Sequence, residues 1–241
     1  RISLRRIFQI SPLAVIGLAL NGMSIAMVFG MGAVYGKSIG MSTSEIGYFM
    51  TAPVIGALVL QYPVGRLSDR FDRRVVILGV SAMAAGTLLI ASQLGIGNFA
   101  LLLVCMLVFG GFLFPMYSLC IAHANDFLTP SQMVAVASGL VMMSGAGAVI
   151  GSPLAALSLE YLGVASFFPL LASTQIATAI FVIIRMTRRR AVPSAAQGPF
   201  IASPEASSAV AATLNPEAEW VMSEEEAGDA EDPFKDNPYV N

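Results

Sequence analysis

The sequence predicts an all-α membrane protein with six transmembrane helices followed by an acidic tail. Hydrophobic residues make up 56% of the 241 residues and charged residues only 12%, whereas an ordinary soluble domain carries about 25% charged residues. The apolar residues are gathered in long uncharged runs, and most charges lie between these runs. Because a helix needs about 20 apolar residues to cross a hydrocarbon layer of ~30 Å, this pattern is typical of a multi-pass membrane protein.

Six apolar runs are long enough to cross the membrane. Each is expected to be helical, because no water inside the layer can satisfy the backbone. Pro53, Pro115 and Pro153 lie within the runs, which membrane helices tolerate. The alternative is the buried helical core of a soluble protein, but six successive apolar runs leave too little polar surface for it. The runs cover residues 12–36, 46–64, 75–93, 98–121, 133–159 and 163–184.

The charges divide the chain into two parts. Residues 1–190 hold 12 Lys and Arg and 5 Asp and Glu, whereas residues 191–241 hold Lys235 and 10 acidic residues. The second part is rich in Pro, Ala, Ser and Glu and shows no apolar periodicity, which favours disorder. We therefore expect a transmembrane domain over residues 1–190 and a disordered acidic cytoplasmic tail over residues 191–241.

The basic residues also predict the orientation. With the N-terminus inside, 11 of the 12 basic residues of the first part lie on the cytoplasmic side, and only Lys37 lies outside. This asymmetry matches the positive-inside rule and predicts that both ends of the chain are cytoplasmic. A basic face of this kind indicates a lipid bilayer as the partner and gives no support to nucleic-acid binding.

A charged block between the second and third runs is the most informative stretch of the chain. It reads Gly65-Arg-Leu-Ser-Asp69-Arg70-Phe-Asp72-Arg73-Arg74, and we expect it to form a tight turn at the membrane face. It resembles the Gly-x-x-x-Asp-Arg-x-Gly-Arg-Arg loop signature of the major facilitator superfamily of secondary transporters. The resemblance covers residues 1–190.

The resemblance implies the rest of the architecture. Members of this superfamily have two six-helix halves, each a pair of inverted three-helix repeats. The chain begins with a linker-like basic segment and without an initiator Met, so we interpret it as the second half and expect an upstream six-helix half as its partner. The resemblance further implies a small-molecule substrate, alternating access, and a plasma membrane location, which in bacteria is the inner membrane.

The signature residues are the first candidate site. The match to the family pattern holds at Gly65, Leu67, Asp69, Arg70, Arg73 and Arg74, and it departs at Asp72, where the family commonly has Gly. The resemblance implies a latch that braces the two halves and releases during transport. From the residues, Asp69 could accept hydrogen bonds at a helix N-terminus, and the arginines could pair with Asp69 or Asp72 or bind lipid phosphate. The alternative is a topological anchor without a gating role.

Uncharged residues on the first and fourth runs are the candidate substrate cavity, since no run carries an ionisable residue near its centre. In the family, the first and fourth helices of each half line the pathway. The candidates are Asn21, Ser24, Phe114, Tyr117 and Ser118. For Asn21 the alternative is an interhelix hydrogen bond, and for Phe114 and Tyr117 it is packing. Gly147 and Gly151 form a Gly-x-x-x-Gly face, which predicts close helix packing.

No constellation of catalytic residues is evident in the sequence. It has no phosphate-binding loop, no paired carboxylates within the runs and no Ser, His and Asp set, and His123 is its only histidine. We expect no enzyme activity, no catalytic residues, no cofactor and no metal site. The main alternative to a transporter is a receptor or scaffold with the same fold.

Overall fold

The computed structural model describes residues 4–94, 98–128 and 130–188. A short helix, α1 (Leu4–Ile10), precedes six long helices. These are α2 (Pro12–Ser38), α3 (Thr43–Arg70), α4 (Arg73–Ala91), α5 (Phe99–Asn125), α6 (Pro130–Tyr161) and α7 (Phe167–Arg188), with a 3-10 turn at Val164–Ser166 before α7. The expected tail, residues 191–241, lies outside the described residues.

The prediction of six membrane-crossing helices is confirmed. Within the described residues, six helices are long and apolar enough to span a membrane, and each contains most of one predicted run. Pro53, Pro115 and Pro153 lie inside α3, α5 and α6 without ending them. The chain is therefore a multi-pass helical membrane protein.

Local capping explains where several helices begin. Ser11 caps α2, and its Oγ accepts a hydrogen bond from the Ala14 amide at 3.4 Å. Ser42 and Glu45 form a reciprocal capping box at the start of α3, in which the Ser42 amide donates to Glu45 Oε2 at 2.7 Å. Asp72 caps α4 by accepting from the Arg74 amide at 2.9 Å. These caps satisfy amides that would otherwise lack a partner at the helix ends.

The six long helices form two three-helix repeats, α2–α4 and α5–α7, and helices of one repeat pack against helices of the other. The most extensive contacts join α2 to α6 and α3 to α5, so the first helix of each repeat lies along the second helix of the other. Successive spans run in opposite directions, which makes α2 and α5 antiparallel and the repeats inverted. The expected pair of inverted repeats is therefore present.

Glycines bring the backbones of these helix pairs into direct contact. A Cβ added at Gly147 would lie 1.8 Å from the carbonyl oxygen of Ala19, and one at Gly56 would lie 1.7 Å from that of Leu107. At Gly151 a Cβ would lie 2.3 Å from the carbonyl oxygen of Met23. Only glycine permits such an approach, and these contacts support the packing role proposed for Gly147 and Gly151.

The buried interior consists of two apolar clusters separated by polar side chains. One cluster lies toward the end where α2, α4 and α6 begin, and the other lies toward the opposite end. We call the first of these ends the basic end, because Arg70, Arg73 and Arg74 are located there. The buried polar side chains between the clusters form what we call the polar layer: Asn21, Ser24, Ser81, Ser144, Thr174, Gln175 and Thr178.

The packing of α2 against α6 predicts a position-specific effect of one methyl group. Gly147→Ala should lower the free energy of unfolding by about 1–3 kcal/mol, the usual cost of overpacking, because the new Cβ collides with the Ala19 carbonyl. Gly145→Ala is the matched control, since a Cβ there meets nothing within 4 Å. Chemical unfolding in mixed micelles, followed by circular dichroism, measures both variants. Equal stability of the two would show that this contact does not constrain the bundle.

Candidate functional site

The signature segment, residues 65–74, is mostly helical, and the tight turn expected for it is confined to two residues. Residues 65–70 form the last turns of α3, and Arg73 and Arg74 begin α4. Only Phe71 and Asp72 connect the two helices. Both have negative φ, so the position where the family commonly has Gly requires no positive φ here.

The structure also corrects the expected helix cap. Asp72, and not Asp69, occupies the N-terminal position at which a carboxylate accepts hydrogen bonds from helix amides. Asp69 lies exposed in the last turn of α3, beside Arg70 and two residues from the exposed Leu67. Gly65 is buried one turn earlier. The segment therefore presents one exposed and one buried side to its surroundings.

The buried side is dominated by Arg73, which is only 1% exposed. Its Nη1 donates to the carbonyl oxygen of Ala122 at 2.7 Å and to Oδ1 of Asp126. Asp126 lies directly after α5, so this ion pair fastens the start of α4 to the end of α5. The expected arginine partners were Asp69 and Asp72; the structure adds Asp126 as a partner of Arg73.

Arg74 follows Arg73 in the sequence and is 4% exposed. It lines a small cavity together with Ser11 at the start of α2, His123 on α5 and Arg185 on α7. His123 is buried and makes an edge-on contact with the Phe127 ring at 5.2 Å between ring centroids. The basic end thus gathers three basic side chains from three different helices around one cavity.

The candidate cavity residues fall into two environments. Phe114 is partly exposed, and its ring meets that of Phe29 edge-on, with 6.1 Å between centroids. Phe29 is itself 40% exposed, so this pair opens to the surface between α2 and α5. Tyr117 and Ser118 are buried within the six-helix bundle. Of the candidate residues, Phe114 is therefore the one that an outside molecule reaches, together with its neighbour Phe29.

Asn21 and Ser24 lie inside the bundle, in the polar layer. Ser24 Oγ is 2.6 Å from Thr174 Oγ1 and accepts a hydrogen bond from Gln175 Nε2 at 3.0 Å, which ties α2 to α7. Asn21 is 2% exposed, and within the described part of the chain neither polar atom of its amide has a hydrogen-bond partner. The interhelix hydrogen bond considered for Asn21 is therefore not formed, whereas Ser24 forms one.

Sequence reasoning missed several residues that complete these sites. In the sequence, Asp126 is only a charge beyond the end of an apolar run, and neither Thr174 nor Gln175 is among the candidate residues. A signal for the last two was available, because adjacent polar residues in the middle of an apolar run point into a bundle more often than into lipid. Phe29 carried no distinguishing signal, since aromatic residues are common throughout such runs.

The buried ion pair predicts an asymmetry between single and paired substitutions. Asp126→Asn removes the negative charge that pairs with the buried Arg73 and should lower the free energy of unfolding by about 3–5 kcal/mol. Replacing both residues together, as Arg73→Met with Asp126→Leu, should recover most of this loss, because both charges of the buried pair are then removed. Chemical unfolding of the full chain in mixed micelles measures both variants.

The exposed Asp69→Asn is the matched control for the loss of one carboxylate. Its effect should stay within about 1 kcal/mol, as is usual for exposed charges. If Asp126→Asn were as stable as the wild-type chain, the ion pair would contribute nothing to the free energy of unfolding.

Comparison with known proteins agrees with this architecture. Residues 14–222 match the family profile described as Major Facilitator Superfamily. The chain is 26% identical over 180 residues to a protein named "Uncharacterized MFS-type transporter YcaD" from Salmonella arizonae. It shows the same identity to the proteins of that name from Salmonella paratyphi B and Salmonella newport. Each alignment covers 74% of this chain and 44% of the relative, so the chain spans less than half the length of these relatives.

The family match covers most of the chain. The described residues also contain six spans, two inverted three-helix repeats and a basic segment between the second and third spans. The chain belongs to the major facilitator superfamily.

Proposed function

We propose that this chain is one half of a secondary transporter that moves a small molecule across the membrane by alternating access. Membership of the superfamily and relatives named as transporters support a transport role. The observation that carries the proposal is the partly exposed pair Phe29 and Phe114. It lies between α2 and α5, the first helices of the two repeats, where the family resemblance expects the pathway.

The chemistry of this surface favours an amphiphilic or weakly polar substrate. Aromatic and aliphatic side chains bind by apolar contact and by ring stacking. Within the described residues, the acidic and basic side chains of the long helices lie toward the helix ends, so this half offers the middle of the pathway no ionised group. Efflux of amphiphilic compounds fits this surface best. Uptake of a small uncharged metabolite is the second candidate, because the partly exposed ring of Phe114 can also stack on a ring of such a substrate.

A second six-helix half is the proposed partner. The middle helices of the two repeats, α3 and α6, expose large apolar side chains such as Leu58 and Val149. Their other sides are already engaged in the glycine contacts with α5 and α2. An upstream half packed on this surface would enclose the aromatic pair between two bundles, as the two-half architecture requires, and lipid would cover the remaining surface.

The signature segment is proposed to act as a gate at the basic end. The ion pair between Arg73 and Asp126 fixes the position of α4 against α5. Gly65, Leu67, Asp69 and Arg70 occupy the preceding turns of α3, next to the surface assigned to the partner half. We propose that Leu67, Asp69 and Arg70 contact that half in one conformation and separate from it in the other, while Arg73 and Arg74 hold the segment to this half.

The orientation and location follow from the charges. We propose that the basic end is cytoplasmic, that both ends of the chain lie there, and that the membrane is the bacterial inner membrane. The support is that Arg6, the arginines of residues 66–74 and Arg185 all belong to the same end of the bundle.

The transport proposal is tested with the complete two-half transporter in inverted membrane vesicles, with ethidium as the amphiphilic probe. Phe29→Ala combined with Phe114→Ala should reduce ethidium accumulation about tenfold or more, because two aromatic contacts contribute roughly 1 kcal/mol each. Phe8→Ala is the control, since Phe8 is an exposed ring on α1, away from the proposed pathway.

Three outcomes would speak against parts of this proposal. Unchanged ethidium accumulation in the double variant would remove the aromatic pair from the pathway. Wild-type vesicles that accumulate no ethidium but take up an uncharged metabolite would reject efflux in favour of uptake. Absence of flux for every compound in a broad panel would favour the receptor or scaffold.

The orientation is tested by thiol labelling in intact cells. Cys105 and Cys120, both buried, are first replaced by Ala. Ser44→Cys and Leu162→Cys, on exposed positions at the opposite end, should then react with an impermeant maleimide added outside. Arg70→Cys should react only after the cells are broken. Labelling of Arg70→Cys in intact cells would reverse the assignment.

A further inference from the structure

We propose that the acidic segment of the tail, residues 217–232, binds to the exposed end of α3 at the basic end of the bundle. The binding surface, which we call the α3 terminal face, consists of Tyr62, Arg66, Leu67 and Arg70, all of them exposed. The acidic segment lies outside the described residues. The contact is separate from the aromatic pair and does not depend on transport activity.

The α3 terminal face carries two arginines that have no acidic partner among the described residues. Arg66 donates a hydrogen bond to the hydroxyl group of Tyr62 at 3.1 Å, and this acceptor is uncharged. Arg70, in the last turn of α3, makes no hydrogen bond or ion pair to another described residue. With Asp69 included, residues 62–70 keep a net positive charge. Exposed arginines grouped in this way are a common means of recognising acidic peptide segments.

The surroundings of the face add positive charge and apolar surface. Among the described residues at the basic end, the helices and their connections contain eight arginines and three aspartates. Such an excess attracts a segment of opposite charge. On the face itself, Tyr62 is 72% exposed and Leu67 is 45% exposed. The face therefore suits a partner that combines carboxylates with apolar side chains.

Residues 217–232 have this combination. They contain eight acidic residues and no basic residue. Trp220, the single tryptophan of the chain, lies among them and is followed by two apolar residues. Carboxylates form charge-assisted hydrogen bonds with guanidinium groups, and an indole ring attracts arginine through its π face. The segment thus offers acidic groups to the two arginines of the face and apolar groups to its tyrosine and leucine.

The tail starts close to this face. Arg185, in the last turn of α7, lines the same cavity as Arg74, in the first turn of α4. Only Phe71 and Asp72 separate α4 from α3. The 32 residues from the end of α7 to Trp220 would span ~48 Å even as a helix, whereas neighbouring helices lie about 8–10 Å apart. The acidic segment can therefore reach the face, and weak individual interactions suffice because the contact is intramolecular.

A bound tail would occupy part of the surface that the proposed gate uses. Leu67 and Arg70 belong both to the α3 terminal face and to the contact proposed with the upstream half. The tail would therefore favour the conformation in which the two halves are separated at the basic end. This consequence rests on the proposed function, whereas the contact itself does not.

The contact is tested by fluorescence quenching in the full chain, purified in a neutral detergent. Cys105 and Cys120 are replaced by Ala, and a bimane label is attached to Phe71→Cys, an exposed position beside the face. Trp220 quenches bimane at short range, so the label should be dimmer in this protein than in the same protein with Trp220→Phe. Salt at 1 M, which shortens the Debye length to about 3 Å, should abolish the difference. A label on Leu162→Cys, exposed at the opposite end, should show no difference.

Two sets of substitutions test the charges on either side of the contact. Arg66→Gln with Arg70→Gln removes two exposed ion pairs. Because one such pair changes an equilibrium by up to about fivefold, binding of the tail should weaken about tenfold or more. Lys37→Gln removes an exposed positive charge at the opposite end and should leave the quenching unchanged. The second set lies in the tail and should weaken binding without changing any residue of the helices: Glu224→Gln, Glu225→Gln and Glu226→Gln.

Five results would overturn the proposal. Absence of quenching by Trp220 at position 71 would reject the contact. Quenching that persists in the double arginine variant would show apolar contact alone and would reject the charged face. Quenching that fades on dilution would come from the tail of a second copy. Relief of quenching by phosphatidylglycerol but not by phosphatidylcholine would assign the face to lipid headgroups, and complete loss on co-purification with the upstream half would assign it to that half.

Discussion

The close approach of α2 to α6 and of α3 to α5 is the constraint on which the rest of the structure depends. In a membrane, apolar side chains gain little by leaving lipid for protein, so helices associate through packing and through direct backbone contact. Gly147 and Gly56 make that contact possible, each from the second helix of one repeat to the first helix of the other. Once these two pairs are fixed, α4 and α7 have only the remaining sides of the bundle to occupy.

The polar groups of the interior act within this frame. Ser24 joins α2 to α7 through Thr174 and Gln175, and Arg73 joins α4 to the end of α5 through Asp126. Both connections involve helices outside the two glycine pairs. Polar contacts therefore help to hold α4 and α7, the two helices that take no part in the glycine contacts of these pairs. The ion pair lies at the membrane face, where a buried charge costs less than in the middle of the layer.

The sequence anticipated individual helices well and their mutual contacts poorly. Helix positions follow from local hydropathy, so each predicted run falls largely within one observed helix. The signature segment was expected to be a turn because its charges interrupt an apolar run. In the structure α3 continues through Arg70, since the last turns of a membrane helix project beyond the hydrocarbon and tolerate charge. Asp72 was recognisable as a cap, because a carboxylate before a new helix satisfies its first amides.

The sequence by itself determined the fold class, the number of spans, the charge asymmetry and the superfamily, because these depend on composition and on order along the chain. Only the tertiary structure decided which side chains meet. Arg73 and Asp126 are 53 residues apart, and Ser24 and Thr174 are 150 residues apart. It also separated the accessible Phe114 from the buried Tyr117, three residues away on the same helix. Exposure at this scale is set by the neighbouring helices, and their arrangement is fixed by packing between distant segments, which no local pattern encodes.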